Sequence, residues 1–478
     1  MRDVLTLYPG QYLPEELAAM AKVRQQIQQD LSRKDLSFEE LVQTSDGQSR
    51  GVPYRVTVDP AEVQARMRAL DPWNPIWFDE AAAKAAGFER LPAPEGWACP
   101  KGGYFGGMDK SFGDYTCVKE HHHYCTYHAP IYQGDTLYPV LIDQGFWDAT
   151  PYEGSTWRTW ALRGTAKVYN QDGVLVMTQT CGVEECFQIN ADPALRSWEA
   201  DNMGIEEPEF QNHAIHHYTD ADWETIRGLW SQEHRRGAEP LYWEDVSVGD
   251  QPPITVDGPY TCPGKGGMVM SVSAPSRSCW YLREHWGEPG LELSRDEFGV
   301  YHVDELDRQE AAERQAAMEA SMKARPHPDG PKPGEDKKGP PKKPPLGNSP
   351  VEVRGKATMD NFTGRDSALR AIHNWIGDLG RVTALSWCIG ASGGERPGIP
   401  SHPNRRSPFL AVPGMEHRHT EVHGEEGDLA VNRIYVTGKR VDAAGNHLAD
   451  VTWWTETIEG QIYTEGTATV CLPAREAN

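Results

Sequence analysis

The sequence predicts an α+β protein whose long antiparallel sheet is built from two similar halves of one chain. Residues 119–187 are rich in aromatic and β-branched residues and contain Gly-Asp and Asp-Gly turns, a composition typical of strands joined by tight connections. The same turn and strand signals return near the C-terminus. Helical periodicity is concentrated near the start of the chain and between the two strand-rich parts.

The N-terminal region is predicted to be helical. Residues 13–43 are rich in Ala, Glu, Gln, Arg and Leu, with apolar residues three positions apart, which indicates an amphipathic helix. After a short strand, Asp59 is a suitable N-cap with Pro60 at the first position of a helix that ends at Leu70. We assign residues 1–49 to an N-terminal helical extension.

The first strand-rich unit is assigned to residues 50–195. A polar connector with a helix near residues 220–230 follows at 196–239 and is expected to pack on both halves. The predicted strands of the first unit are Val118–Tyr124, Thr136–Ile142, Thr156–Tyr169 and Val174–Phe187.

The second unit, residues 240–478, repeats features of the first, so we predict an internal duplication. The matched pairs are Gly427–Leu429 with Gly134–Leu137, Val436–Gly445 with Leu162–Gly173, and the final strands Gln461–Leu472 with Val174–Phe187.

An insertion interrupts the second unit. Glu305–Ala324 is charged on almost every side, which predicts a solvated helix. Residues 325–350 are rich in Pro and Lys and predict an exposed polyproline-like loop, because proline removes the amide donors that a helix or sheet requires.

Composition excludes several functions. Asp and Glu number 70 against 47 Lys and Arg, a formal charge of −23, which disfavours binding to nucleic acid. We expect no membrane partner, because no apolar run approaches ~18 residues, and the N-terminal segment lacks signal-peptide features, so we expect a cytoplasmic protein. Nine cysteines without a C-x-x-C pair predict reduced thiols.

Two motifs carry a resemblance to a known family. Asn74-Pro75-Ile76 with Asp79, followed by an Ala-rich helix ending in Gly87-Phe88, is similar to the motif G-D-x-N-P-[ILV]-H-x-D of the MaoC-like dehydratases, or R-specific enoyl-CoA hydratases. Pro130–Leu137 resembles that family's P-V-x-x-G-D-T-L segment. The resemblance implies a double hot-dog fold, with each sheet around a central helix. It also implies hydration of a 2-enoyl-coenzyme A thioester or dehydration of its 3-hydroxy form, without a bound cofactor.

The first motif departs from the family at its catalytic positions. Pro72 stands at the family's Asp and Trp77 at its His, and neither side chain accepts a proton from water. The first half is therefore expected to shape the acyl pocket, with Asn74 and Trp77 among its substrate-binding residues. Asp71 lies one position before Pro72, so a direct catalytic role for Asp71 is left open.

The working pair is accordingly expected in the second half. The best counterpart of the family's H-x-D there is His302-Val303-Asp304, with Asp296 six residues before the histidine. In this hypothesis His302 is the acid–base group, and Asp296 or Asp378 orients the water or the imidazole. The alternative is a surface histidine at the start of the charged helix.

A second catalytic candidate lies in residues 360–380, where apolar residues at helical spacing predict a buried central helix. Its stretch from His373 to Asp378 resembles T-N-W-M-G-D of two-domain acyl dehydratases, which makes these two residues further catalytic candidates. The fold implied by the resemblance places the amides of Gly364 and Arg365 near the thioester oxygen. Alternatively, His373 and Asp378 are structural. The remaining substrate-binding candidates on this helix are Asn374 and Trp375.

A histidine-rich strand offers a third cluster. His121, His123 and Cys125 share one strand face, a spacing compatible with metal ligands. Because no further ligand is evident nearby, we expect the polar face of the strand or a pocket wall rather than a metal site.

Two other functions stay open at this stage. Hot-dog proteins include thioesterases, and a catalytically inactive acyl-binding scaffold is compatible with a first motif that lacks its acid–base pair. The acyl group, the reaction direction and the oligomeric state, for which a homodimer is one option, are not determined by the sequence.

Overall fold

The structure is a computed structural model of the 478-residue chain. It describes residues 3–46, 54–97, 113, 116–150, 153–195, 214, 216–261, 271–272, 275–324, 358–359, 363–390, 408–416, 418, 420 and 422–475. The Pro- and Lys-rich segment predicted at 325–350 lies outside the described residues.

Most helices follow the sequence signals, but the segment predicted as one helix over residues 13–43 forms two, the first ending at Leu31 and the second beginning at Phe38. Asp59 Oδ1 accepts the amide N–H of Ala61 at 2.8 Å, and Pro60 is the first residue of the helix that follows, so the predicted cap is confirmed. The helices are α1 (Pro14–Leu31), α2 (Phe38–Gln43), α3 (Pro60–Leu70), α4 (Glu80–Ala85), α5 (Asp220–Gln232), α6 (Arg277–His285), α7 (Asp304–Ala324) and α8 (Thr363–Ile376).

Ten of the strands form one antiparallel sheet, and the other four form two small pairs. The strands are β1 (Val56–Thr57), β2 (Thr116–Tyr127), β3 (Thr136–Asp148), β4 (Arg158–Tyr169), β5 (Leu175–Phe187), β6 (Thr255–Asp257), β7 (Ser271–Val272), β8 (Ser294–Arg295), β9 (Tyr301–His302), β10 (Thr358–Met359), β11 (Arg381–Gly390), β12 (Ala430–Val441), β13 (His447–Glu456) and β14 (Ile462–Cys471).

The sheet order reveals the duplication directly. It runs β1-β3-β4-β5-β2 through the first half and then β11-β14-β13-β12-β6 through the second, which is the same order read from the opposite edge. The halves join where β2 pairs with β11, with Ala384 opposite Thr126 and Gly390 opposite Glu120. The predicted α+β double hot-dog fold is therefore confirmed.

One predicted correspondence between the halves is wrong. Val436–Gly445 covers the end of β12 and the following turn, and β12 takes the place of β3 in the sheet order, whereas Leu162–Gly173 covers β4 and the turn after it. The two segments look alike because each is a strand followed by an Asp-containing turn with Gly at a positive φ. The matches of the Gly-Asp turns and of the final strands, β5 and β14, agree with the topology.

Helix α8 is the central helix of the second unit. Every residue of it except His373 is buried, and it packs against β6, β12, β13 and β14. Gly377 ends the helix at φ +71°, a conformation that favours glycine. The main core cluster includes Ile372 and Trp387 of the second half together with Trp77 and Leu137 of the first, so the two units share one hydrophobic core.

The N-terminal extension is tied to the first unit by a buried ion pair. Arg158 on β4 donates from Nε to Glu16 Oε1 at 2.6 Å and from Nη2 to Glu16 Oε2 at 3.2 Å. Neither side chain is exposed by more than 1%. Among the described residues, no helix is both long and apolar enough to span a membrane.

Candidate active site

Two cavities meet where the first-half motif faces the central helix α8. One has a volume of about 300 Å³ and the other of about 230 Å³. Both are lined by Trp77, Pro94 and Glu95 from the first half and by His373 from the second. These four residues therefore form the partition between the cavities, and two of them, Glu95 and His373, are titratable.

Glu95 and His373 form an ion pair within this partition. Glu95 Oε2 lies 2.9 Å from His373 Nε2, and the side chains are only 19% and 13% exposed. Burial works to lower the pKa of His373, but the carboxylate of Glu95, assisted by that of Asp71, raises it above its ordinary value. Burial works to raise the pKa of Glu95, but the charge of His373 brings it below its ordinary value. The pair is therefore a carboxylate facing an imidazolium.

The first-half motif holds this pair in place. Trp77 stacks on His373, with ring centroids 5.5 Å apart and an interplanar angle of 25°. The Trp77 indole N–H donates to the buried Asp71 at 2.8 Å. Asn74 caps the short 3₁₀ turn that carries Trp77, since its Oδ1 accepts the amide N–H of Ile76 at 3.3 Å. Asp71 thus fixes the orientation of the ring that covers His373.

The larger cavity has a charged wall. Arg365 and Asp366 at the start of α8 line it together with Arg66 of α3. Arg365 donates from Nε to Asp366 at 2.7 Å, and Arg66 pairs with the same carboxylate. The Arg365 guanidinium also lies directly against Gly96, where an added Cβ would come within 2.7 Å of its Nη1. The Arg365 guanidinium therefore lies against Gly96, the residue that follows Glu95 in the cavity wall.

The smaller cavity is predominantly apolar. Its wall on the far side of the partition includes Phe88 and Ile131 from the first half and Ile376 and Val382 from the second. Side chains of this kind bind hydrocarbon rather than charge. Both cavities are largely apolar, and each has charged residues in its wall: Arg365 and Asp366 in the larger one, Asp378 and Arg381 in the smaller one.

Part of the first half is similar to a known protein family. Residues 47–179 match the family described as the FAS1-like dehydratase domain region. The chain therefore resembles this family over these residues. The resemblance predicted from Asn74-Pro75-Ile76 and Pro130–Leu137 is confirmed, because both motifs lie within the matched residues.

Solved structures similar to the chain include other hot-dog proteins. A putative MaoC domain protein dehydratase from Chloroflexus aurantiacus is 13% identical, with a TM-score of 0.38, and the match covers 90% of this chain and 95% of that one. A conserved hypothetical protein with a double hotdog fold from Mycobacterium tuberculosis is 12% identical, with a TM-score of 0.38 and coverage of 90% and 97%. An (R)-hydratase from A. caviae is 18% identical over 27% of this chain and 90% of its own, with a TM-score of 0.17. No curated protein matches the chain.

His302 lies away from the partition between the two cavities. Its Nδ1 lies 2.6 Å from Asp307 and its Nε2 lies 3.2 Å from Asp296. Burial lowers the pKa of His302, but these two carboxylates outweigh burial and raise it to about 9. Neither His302 nor Asp296 lines either cavity. A protonated imidazole with both nitrogens bound to carboxylates is a clamp between β9 and α7 and has no free lone pair to act as a base.

Asp296 is also committed to the local turn. It accepts the amide N–H groups of Phe298 and Val300, each at 2.9 Å, which closes the hairpin between β8 and β9. The residues that match H-x-D in the sequence therefore belong to the end of a hairpin and the start of the helix that follows it. Sequence spacing could not reveal this, because Asp307 joins the histidine from the following helix.

The remaining second-half candidates lie on or beside α8, with different surroundings. Asp378 lines the smaller cavity but binds Arg235 at 2.6 Å, and Arg235 also donates to Asn74 at 2.8 Å, which ties the two halves together. Asn374 donates to Glu233 at 3.2 Å. Trp375 belongs to the main core.

The predicted oxyanion role of the start of α8 stays a prediction. Arg365 precedes His373 by eight residues, which at 1.5 Å per residue is about 12 Å along the helix axis. Gly364 packs against β14, where an added Cβ would come within 2.1 Å of Thr464 Oγ1. Arg365 lines the larger cavity.

Sequence reasoning missed Glu95. The residue follows the Gly87-Phe88 end of the motif within a segment rich in Pro and Gly, and nothing in its spacing marks it as catalytic. The only available signal was a lone carboxylate in a loop directly after a recognised motif. Its partner His373 comes from the other half of the chain, so only the packing of the halves identifies the pair.

Proposed function

We propose that this protein adds water to a 2-enoyl thioester of coenzyme A, or removes it from the 3-hydroxyacyl form, with Glu95 and His373 as the acid–base pair. The observation that carries the proposal is the 2.9 Å contact between Glu95 Oε2 and His373 Nε2 in the partition between the two cavities. A carboxylate and an imidazolium in contact supply both the base and the acid that water addition requires. The dehydratase family of residues 47–179 supports the same reaction class.

In the hydration direction the two groups act on the two carbons of the double bond. Glu95 accepts a proton from water as the water oxygen bonds to the β-carbon. His373 donates its proton to the α-carbon, so the π bond is replaced by one C–O and one C–H bond. The proton on Glu95 then passes to His373 across their contact, which restores the starting ionisation. Dehydration is the reverse sequence, and because water addition is not a redox reaction, no electron carrier takes part.

Negative charge develops on the thioester oxygen when the β-carbon is attacked. We assign its stabilisation to the Arg365 guanidinium, which lies against Gly96 in the charged cavity. A fixed positive charge in a site largely shielded from water is worth more than the same charge in bulk solvent. Asp366 and Trp387 hold the guanidinium by an ion pair and by ring stacking with a centroid distance of 4.8 Å.

The acyl chain is assigned to the apolar cavity beyond the partition. A thioester whose carbonyl faces Arg365 has its β-carbon near Glu95 and His373 and its chain directed toward Phe88, Ile131 and Ile376. A volume of about 230 Å³ fits a short or medium acyl chain. The coenzyme A portion then occupies the charged side.

The test measures hydration and thiol release separately on the full-length protein. Loss of the enoyl ultraviolet absorbance on addition of enoyl-coenzyme A thioesters reports hydration, and a thiol reagent reports hydrolysis. Glu95→Gln and His373→Gln are each expected to reduce hydration by about 10²–10⁴-fold. His302→Gln is the matched control, because it removes a buried histidine outside the cavities.

Three outcomes would contradict the proposal. Thiol release without loss of the enoyl group would identify a thioesterase. Acyl-coenzyme A binding without either reaction would identify a scaffold. Equal losses of activity in His302→Gln and His373→Gln, with both variants folded, would remove the special role of the pair.

A further inference from the structure

A second cluster of chemically versatile side chains lies in the first half of the sheet. His121 and His123 on β2 and Cys181 on β5 are each at most 2% exposed. His123 is directly opposite Cys181 in the strand pairing. The Cys181 Sγ lies 3.5 Å from His121 Nε2 and 3.6 Å from His123 Nε2, and the two Nε2 atoms are 2.9 Å apart. None of the three residues lines the two cavities of the proposed active site.

These distances are close to those of ligands around one metal ion. With bonds of about 2.05 Å to nitrogen and about 2.3 Å to sulfur, tetrahedral angles separate nitrogen from sulfur by about 3.6 Å and two nitrogens by about 3.3 Å. The nitrogen–sulfur distances already match, and the nitrogens are a few tenths of an ångström closer. We propose that His121, His123 and Cys181 hold one thiophilic d¹⁰ metal ion, Zn²⁺ or Cu⁺.

The surroundings of His123 suit a ligand that binds through Nε2. Its Nδ1 lies 2.7 Å from the Gln179 amide, and its ring stacks on Trp387 at 4.3 Å with an interplanar angle of 13°. Gln179 is fully buried, and its Oε1 has no hydrogen-bond partner. Turning the amide by 180° places Oε1 where it accepts the Nδ1 proton and leaves the Nε2 lone pair for the metal, and it moves the amide N–H groups to the position where Oε1 has no partner.

His121 is 1% exposed, and its Nε2 faces both Cys181 Sγ and His123 Nε2. The positive charge facing the cluster comes from Arg365, which Asp366 neutralises through a 2.5 Å ion pair. The Cys181 thiolate provides the compensating negative charge: with Cu⁺ the metal and its ligands are neutral overall, and with Zn²⁺ they carry a single positive charge.

The alternative is a hydrogen-bonded chain from Gln179 through His123 to His121, with Cys181 as a thiol neighbour. The sequence grouped Cys125 with the histidines because the three share a strand face. The structure brings in Cys181 from the adjacent strand, so the metal would join β2 to β5 beside the seam between the two halves of the sheet. Cys125 packs in the main core instead.

The test uses full-length protein freed of metal by a chelator and titrated with Co²⁺, a coloured substitute for Zn²⁺. We expect one Co²⁺ per chain, with a thiolate-to-cobalt charge-transfer band that Zn²⁺ abolishes. Competition against chelators selective for Zn²⁺ or for Cu⁺ then distinguishes the two ions, and tight binding of either one supports the site. A wild-type protein that binds neither ion and gives no charge-transfer band contains only the hydrogen-bonded chain.

Variants assign the ligands. Cys181→Ser is expected to lose the charge-transfer band and at least about tenfold in affinity, and Gln179→Leu to lose about 10–100-fold in affinity while keeping the band. Cys125→Ser, the matched control on the same face, is expected to retain both. If Cys125→Ser loses the band and Cys181→Ser keeps it, the assignment is overturned. If Cys181→Ser does not fold, His121→Ala and His123→Ala test the site instead: a loss of at least about tenfold in Co²⁺ affinity in each supports it, and unchanged affinity overturns it.

Discussion

The indole of Trp77 covers the imidazole of His373, with ring centroids 5.5 Å apart and an interplanar angle of 25°. Trp77 stands where the resembled motif has its histidine, and the imidazole beneath it comes from the central helix of the other half. The first-half motif has therefore kept its position and changed its role. It supports a titratable residue of the other half.

The first prediction concerns Asp71, which acts on His373 without touching it. Asp71→Asn removes a negative charge that raises the pKa of His373, while its side-chain oxygen can still accept the Trp77 N–H. In the proposed mechanism, activity requires Glu95 as a carboxylate and His373 as an imidazolium, so it falls below the lowered pKa of Glu95 and above the raised pKa of His373. The alkaline limb of kcat/KM against pH should therefore move to lower pH in Asp71→Asn.

The control for Asp71 is Glu62→Gln, which also removes a carboxylate from the wall of the larger cavity. The charge of Glu62 is not among the largest that act on His373, so the alkaline limb should move less than in Asp71→Asn. An unchanged limb in Asp71→Asn, or the same shift in both variants, would show that Asp71 does not tune the histidine.

The second prediction concerns His302 as a pH-dependent clamp. Its pKa is raised to about 9 in the folded protein, against about 6.5 in an unfolded chain. The imidazolium therefore contributes stability fully below pH 6.5, and this contribution disappears as the pH rises through 9. It amounts to at most about 3 kcal/mol, at 1.36 kcal/mol per pKa unit.

Urea unfolding of wild type and His302→Gln across this pH range tests the clamp. The difference in unfolding free energy should be largest at pH 6 and should shrink toward pH 10. A difference that grows with pH would mean that His302 is neutral in the folded state.

The third prediction concerns the buried pair that anchors α1. Glu16→Gln leaves the Arg158 guanidinium, 1% exposed, with the carboxylate of Asp148 at 3.4 Å as its remaining charged partner. Loss of one member of a buried pair costs about 3–5 kcal/mol, because the remaining charge stays desolvated, and Asp148 offsets part of that cost. Denaturant unfolding should show this loss, whereas Glu80→Gln, which breaks the exposed pair with Lys84, should change stability by only about 0.3–0.5 kcal/mol. Equal effects in the two variants would refute the anchoring role.

The fourth prediction concerns Gly96, whose φ is +87° and whose Hα faces the Arg365 guanidinium. Gly96→Ala introduces backbone strain of about 1–2 kcal/mol and displaces Arg365. Gly134→Ala imposes similar strain at φ +91°, with no atom within 4 Å of the added Cβ. Both variants should lose stability in thermal unfolding, but only Gly96→Ala should lose hydration activity. Equal activity in the two variants would show that Arg365 takes no part in the reaction.

Local features of the sequence were sufficient for much of the fold. Asp59-Pro60 predicted a helix start, and the observed hydrogen bond to Ala61 confirms the cap. The apolar spacing in residues 368–376 predicted a buried central helix, because helical periodicity depends only on neighbours along the chain. The Gly-Asp turns identified the duplication for the same reason.

The residues of the site were harder to predict from the sequence than the fold. His302 and Asp296 have catalytic residue types at nearly the family spacing, yet Asp307 from the next helix completes a structural clamp around the histidine. Glu95 has no motif of its own, and its partner belongs to the other half. A residue's chemistry depends on the charges that packing places within a few ångströms, and spacing along the chain does not encode those distances across domains.

The sequence by itself determined the duplicated antiparallel architecture, the central helix, and the absence of an acid–base pair at Pro72 and Trp77, since each follows from local composition and side-chain chemistry. The tertiary structure alone decided that Glu95 meets His373 and that Cys181 rather than Cys125 joins His121 and His123. The physical reason is the same in both cases. The decisive contacts cross between strands or between halves, so they exist only once the sheet register and the packing of the two halves are set.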